Sequence, residues 1–255
     1  MSRIRSAAIA IAIALTTTTT RAQTADYNAT ADITVTVADL RDASGASLGA
    51  IPIGLSIIGE TFVLDDFTDV FGDASAGTDF GLSPMFDMAL GIDEGTTQIT
   101  DAFGSAGPGD GFAESIMYTD GFIEIINETS DAITVVFDVS FALTATATAD
   151  DPATQFSEAF AGVAIDILTP FSVAEDTILE EFVFAFSDDV TSESLSDSFS
   201  FEVTVVSDAF ADIFIIADSD GFADSLPEIV PAPAALPAGI ALMGLLGLKR
   251  KQRNA

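Results

Sequence analysis

The run Ile133-Thr134-Val135-Val136-Phe137-Asp138-Val139-Ser140-Phe141-Ala142-Leu143-Thr144-Ala145-Thr146-Ala147-Thr148 decides the fold class. Ile133, Val135, Phe137, Val139, Phe141, Leu143, Ala145 and Ala147 share one parity. The other parity carries Thr134, Asp138, Ser140, Thr144, Thr146 and Thr148, with Val136 and Ala142 as exceptions. Alternation over this length belongs to an antiparallel strand with one wet face, not to a helix. The inward side chains shrink from Phe to Ala, so the core thins towards Ala147. Asp150-Asp151-Pro152 then breaks the strand.

The same period recurs on either side. Ile33, Val35 and Val37 alternate with Asp32, Thr34 and Thr36, and Phe199, Phe201, Val203 and Val205 with Ser200, Glu202 and Thr204. Gly121 to Ile126, Ala159 to Leu168, Glu181 to Phe186 and Ala209 to Ala217 read as further strands, with Ala159 to Leu168 the expected hairpin partner of the long run. Residues 41–50 are a turn, and Ile51 to Leu64 is one bent strand or a hairpin. Asp65 to Asp110 has little sustained period and is expected to hold long loops, one or two short strands and a helical turn at Met85 to Leu90. Asp188-Asp189 and Ser207-Asp208 mark turns. The expected fold is all-β, an antiparallel β-sandwich or a jelly roll. Asp-Gly-Phe occurs at Asp110, Asp120 and Asp220 with irregular spacing. It is expected to open a turn with Asp-Gly and return Phe to the core.

The 255 residues carry 8 basic and 40 acidic side chains, with no His, Cys or Trp. Hydrophobic residues make up 49%. High charge with that much apolar content is not the composition of a disordered chain. Between Asp26 and Glu228, where every acid lies, Arg41 is the one basic residue. Nucleic acid is excluded as a partner, since binding it requires Lys and Arg to neutralise phosphate. Cations are the natural partners.

Catalytic residues are scarce. Without His or Cys, and with Lys only at positions 249 and 251, there is no Ser-His-Asp triad, Cys-His pair or His-ligated zinc. Carboxylate pairs suited to glycoside hydrolysis arise by chance among so many acids. No catalytic residue is assigned and the chain is expected not to be an enzyme. No cofactor is required, although calcium suits the loops that cluster Asp65, Asp66 and Asp69, Asp150 and Asp151, Asp188 and Asp189, and Asp218 and Asp220. Asp218-Ser219-Asp220-Gly221 matches the start of a calcium loop, but Ile229 stands where an EF-hand has its closing Glu.

Both ends of the chain look like addresses. Arg3 and Arg5 precede the apolar stretch Ala7 to Leu15, and Thr20-Arg21-Ala22 puts small residues where a signal peptidase cuts. Residues 1–22 are thus expected to be a signal helix cleaved after Ala22. Residues 23–228 form the acidic β domain, and residues 229–255 a sorting tail. The tail has Val230, Pro231, Pro233 and Ala234, then an apolar segment over 234–248, then Lys249, Arg250, Lys251 and Arg253. Counted from Val230 the apolar part makes about 28 Å of helix, just enough to span a bilayer core of about 30 Å. The basic end then stays cytoplasmic.

This tail resembles the PEP-CTERM signal of Gram-negative bacteria, in its Val-Pro-x-Pro-Ala (VPxPA-CTERM) variant; Ala232 stands where the main motif has Glu. The resemblance covers Val230 to Arg253. It implies processing by an exosortase-like membrane protease in cells that make exopolysaccharide. The expected product passes through an inner-membrane-anchored intermediate to the cell surface or extracellular matrix, and associates there with exopolysaccharide and divalent cations. The alternative is a secreted carbohydrate-binding or carboxylate-dependent glycan-active domain.

Overall fold

The computed structural model describes residues 24–169 and 176–226. The chain is all-β, with eleven strands: β1 (Ala25–Arg41), β2 (Leu55–Phe71), β3 (Ala74–Ser83), β4 (Met88–Ala89), β5 (Gly95–Ala106), β6 (Gly111–Asn127), β7 (Ile133–Ala149), β8 (Gln155–Leu168), β9 (Asp176–Phe186), β10 (Ser192–Val205) and β11 (Ala209–Ser225). They form two antiparallel sheets, β10-β7-β1-β5-β3 and β4-β2-β6-β11-β8-β9. One cluster of buried side chains from both sheets lies between them, consistent with a sandwich. The terminal helices expected in 1–22 and 234–248 lie outside the described residues.

The long alternating run is β7, an inner strand of the five-stranded sheet. All eight residues of its apolar parity are buried. It pairs with β1 on one side and β10 on the other. Both of its edges are therefore taken, and the expected hairpin with Ala159 to Leu168 does not form. The chain turns at Asp151, whose carboxylate accepts from Ala153 N at 3.1 Å and from Thr154 Oγ1 at 3.0 Å, and crosses to the other sheet. There β8 lies between β11 and β9. Its Ala159, Ala161, Val163, Ile165 and Ile167 close the core from the opposite side.

Asp65 to Asp110 is more regular than its sequence suggests. It holds the far half of β2, all of β3, β4 and β5, and the expected helical turn at Met85 to Leu90 is replaced by the short bridge of β4. Beyond a bulge between Val63 and Asp65, nearly every β2 residue is exposed, and β3 has no buried residue. Strands without a buried face need no apolar alternation. Backbone pairing to β6 and β5 holds them. Among the described residues no helix is long and apolar enough to cross a membrane.

Candidate functional site

The two outer faces are built from different side chains. Residues paired directly across antiparallel strands share a face, so the register defines each surface. On the five-stranded sheet the rows read Thr36, Asp138, Ser200, then Thr34, Ser140, Ser198, then Asp32, Ala142, Ser196, then Asp101, Thr30, Thr144, Ser194. Thr34 and Thr97 hydroxyls meet at 3.1 Å, Thr134 and Thr204 at 2.8 Å, and Ser200 Oγ donates to Asp138 at 2.6 Å. A cavity of ≈ 340 Å³ sits here, lined by Thr36, Asp138, Ser140, Ser198, Phe199 and Ser200 among others.

The six-stranded sheet presents acids and aromatics in a chequered pattern. From β2 to β9 one row is Asp69, Glu114, Phe222, Glu158, Phe186. The next is Phe67, Ile116, Asp220, Phe160, Phe184, and the third is Asp65, Tyr118, Asp218, Gly162, Phe182. The rings rest on one another: Phe160 and Phe184 centroids are 4.8 Å apart, and Phe184 and Phe186 stack at 6.2 Å.

Small inward residues explain why these large ones face out. Gly221 and Gly121 point into the core, where Tyr27 and Gln98 occupy the space a Cβ would need. Tyr27 Oη and Ser115 Oγ lie 2.8 Å apart, and Gln98 Nε2 donates to the Ile215 carbonyl at 3.1 Å while Gln98 Oε1 accepts from Thr119. Two β1 and β5 side chains thus reach across and fill the hollow left by glycine. Strand alternation then sends the flanking Asp and Phe to solvent. The expectation that Phe of Asp-Gly-Phe returns to the core is overturned: Phe112, Phe122 and Phe222 all lie on the outer face. Only Asp110-Gly111 belongs to a turn, with Asp110 at φ 100°. Asp120-Gly121 and Asp220-Gly221 are mid-strand.

Burial raises the carboxyls of this face. Asp218 is pushed up to about 6 by burial and by the neighbouring Asp220. Asp220 is also pushed up to about 6, by burial first and then by Glu158 and Glu114. Burial likewise raises Asp120, Glu158 and Asp212. One oxygen each of Asp120, Asp166, Asp212 and Asp218 is buried without a hydrogen-bond partner among the described residues. Arg41, the sole described cation, is engaged by Asp39 and Glu202 at the other sheet.

The expected calcium ligands fall in separate places. Asp65 and Asp69 share the acid–aromatic face with Asp218 and Asp220, whereas Asp66 accepts from Thr78 Oγ1 at 2.5 Å. Asp150 accepts from Thr24 N and Asp151 caps its turn. Asp188 and Asp189 lie in the turn between β9 and β10. Asp218-Ser219-Asp220-Gly221 is not a loop but the middle of β11. Among the described residues no three acids converge to hold a metal. Ala22, the Val230–Ala234 motif and the basic end lie outside the described residues.

The sequence reading missed Glu158, Phe160, Phe184 and Phe186. Together with Ala159 and Asp220 they line a cavity of ≈ 320 Å³. A usable signal was present: Phe182, Phe184 and Phe186 alternate with Val183 and Ala185, and it is the smaller pair that is buried. No protein-family model, curated protein or solved structure matches the chain.

Proposed function

We propose that this chain is an exported, non-enzymatic protein of the cell surface or extracellular matrix, delivered by a PEP-CTERM-like tail and associated with exopolysaccharide and divalent cations. The observation that carries this reading is the partition of charge. Seven of the eight basic residues lie in 1–21 and 249–253, flanking a strand-built body whose one basic residue is Arg41. We take the body as one sandwich domain over 23–228, between a signal helix in 1–22 and a tail helix over 234–248. An anionic, salt-screened surface suits an exterior location, and divalent cations would bridge it to acidic polysaccharide. Mass spectrometry of the mature protein tests the delivery route. A C-terminus near Val230 is expected, and an intact Ala255 in the membrane fraction would overturn processing.

A second reading, a carbohydrate-binding domain, is favoured by the Ser/Thr cavity around Asp138. Hydroxyls and a carboxylate suit sugar hydroxyls, which both donate and accept. A glycan array checks it: binding by the wild type that Asp138→Ala removes would support this reading, and a blank array would sink it.

A further inference from the structure

The aromatic cavity on the six-stranded sheet joins two kinds of wall, rings and carboxylates. Its walls are the rings of Phe160, Phe184 and Phe186, and Glu158 and Asp220 bring carboxylates to the same opening. We propose that this cavity binds an organic cation, an alkylammonium or guanidinium head seated against the rings between the two carboxylates.

Four observations carry the proposal. The cavity, ≈ 320 Å³, falls within the size range of small-ligand sites, about 300–1,000 Å³. Its aromatic wall is preformed. The Phe160 ring lies over Gly162, where an added Cβ would meet ring carbon Cζ at 2.8 Å, and Phe160 also packs on Phe184. Glu158 and Asp220 are diagonal neighbours on β8 and β11, since Asp220 pairs with Phe160 and Glu158 with Phe222. The backbones of diagonal neighbours stand roughly 7–8 Å apart, and both carboxylates border the one cavity. Finally, among the described residues no Lys or Arg lies on this face to neutralise the carboxylates from within; Arg41 is held by Asp39 and Glu202.

Ligand chemistry follows by elimination. A hard divalent ion needs six to eight oxygens and gains nothing from rings. An anion is repelled. A neutral apolar molecule would desolvate two carboxylates without pairing them. An organic cation uses both walls, by cation–π attraction and by charge pairing, and unlike a neutral sugar it offsets the two negative charges. Such heads occur on free amines and on Lys or Arg side chains, and the two sources are separable by experiment.

The test titrates the full-length chain in detergent with choline, with N-acetyl-lysine amide and N-acetyl-arginine amide, and with the uncharged carbon isostere of choline, followed by NMR. Saturable binding of choline points to a free amine, and tighter binding of either amide points to a partner side chain; both support the site. The isostere should bind at least about tenfold more weakly, the equivalent of one charge-assisted contact. Glu158→Gln with Asp220→Asn should weaken cation binding about tenfold, and Phe184→Leu about fivefold. Phe184 is 39% exposed, so Leu there leaves the fold intact, which an unchanged melting curve verifies. Calcium chloride at matched ionic strength should leave binding unchanged within about twofold. The proposal is overturned if no cation saturates, if the isostere binds as well as choline, if Phe184→Leu has no effect, or if calcium displaces the cation.

Discussion

The outer faces of the two sheets obey the same two-residue period and meet solvent in opposite ways. The five-stranded sheet shows mostly hydroxyls, which hydrogen-bond across strands at Thr34 to Thr97 and Thr134 to Thr204, with a few acids among them. The six-stranded sheet shows rings packed on rings, with carboxylates set between them that feel one another's charge, as Asp220 feels Glu158 and Glu114. Burial and like charge both disfavour ionisation there. On the first face that effect reaches Asp32, raised by burial and by Asp101. The other carries a charge load that only protons, salt or a bound cation can relieve.

The largest expected contrast comes from glycine. Gly221→Ala puts a methyl against the Tyr27 ring and 2.8 Å from the Glu158 carbonyl, so it should cost about 1–3 kcal/mol in urea unfolding. Gly81→Ala, on the hydroxyl face, meets nothing nearer than Ile99 at 3.5 Å and should change stability by less than about 0.5 kcal/mol. Equal costs at the two positions would remove the claim that Tyr27 fills a hollow reserved by glycine. Next in size, Asp218→Asn should stabilise the protein by about 1 kcal/mol at pH 8, after discounting its raised pKa for solvent screening. A loss of stability there would mean that Asp218 has a partner that compensates its charge. A smaller effect than that of Gly221→Ala or Asp218→Asn is expected of Thr34→Val on the other sheet, a loss of about 0.5 kcal/mol in thermal melts from one part-buried hydroxyl pair. No change would reduce that pair to decoration.

In the hydroxyl sheet β1, β7 and β10 were legible in the sequence because they alternate apolar with polar positions, whereas β3 and β5 lay in the stretch expected to be mostly loops. The parity of Ile133 to Ala147 alone marks β7 and that of Phe199 to Val205 marks β10, but only the register sets the two side by side. The acid–aromatic sheet was less legible because both of its faces accept apolar residues. In β11, Ile213 and Ile215 face the core while Phe214 and Ile216 face outward. Hydrophobicity cannot rank these two sets. Size does, but only once Tyr27 and Gln98 are known to occupy the interior. The same blindness turned Asp218-Ser219-Asp220-Gly221 into an expected calcium loop, although its alternation of acid with small residues is that of a strand. Glu158 drew no attention among so many acids. Only the register brings it beside Asp220.

The pH dependence of thermal stability tests most directly whether the second face carries uncompensated charge. Asp218 and Asp220 titrate near 6 in the folded protein, above the 3.8 of the free side chain. The folded state therefore binds their protons more tightly than the unfolded state. Their penalty is full above about pH 6 and fades as pH falls towards 3.8. Asp39 and Asp42, whose pKa values hydrogen bonds lower, oppose this trend only under more acid conditions. The melting temperature should rise by several degrees between pH 8 and pH 5, and pairing Asp218→Asn with Asp220→Asn should flatten much of that rise. A wild-type curve that is level or falls over this interval, or a double variant that keeps the full slope, would contradict it.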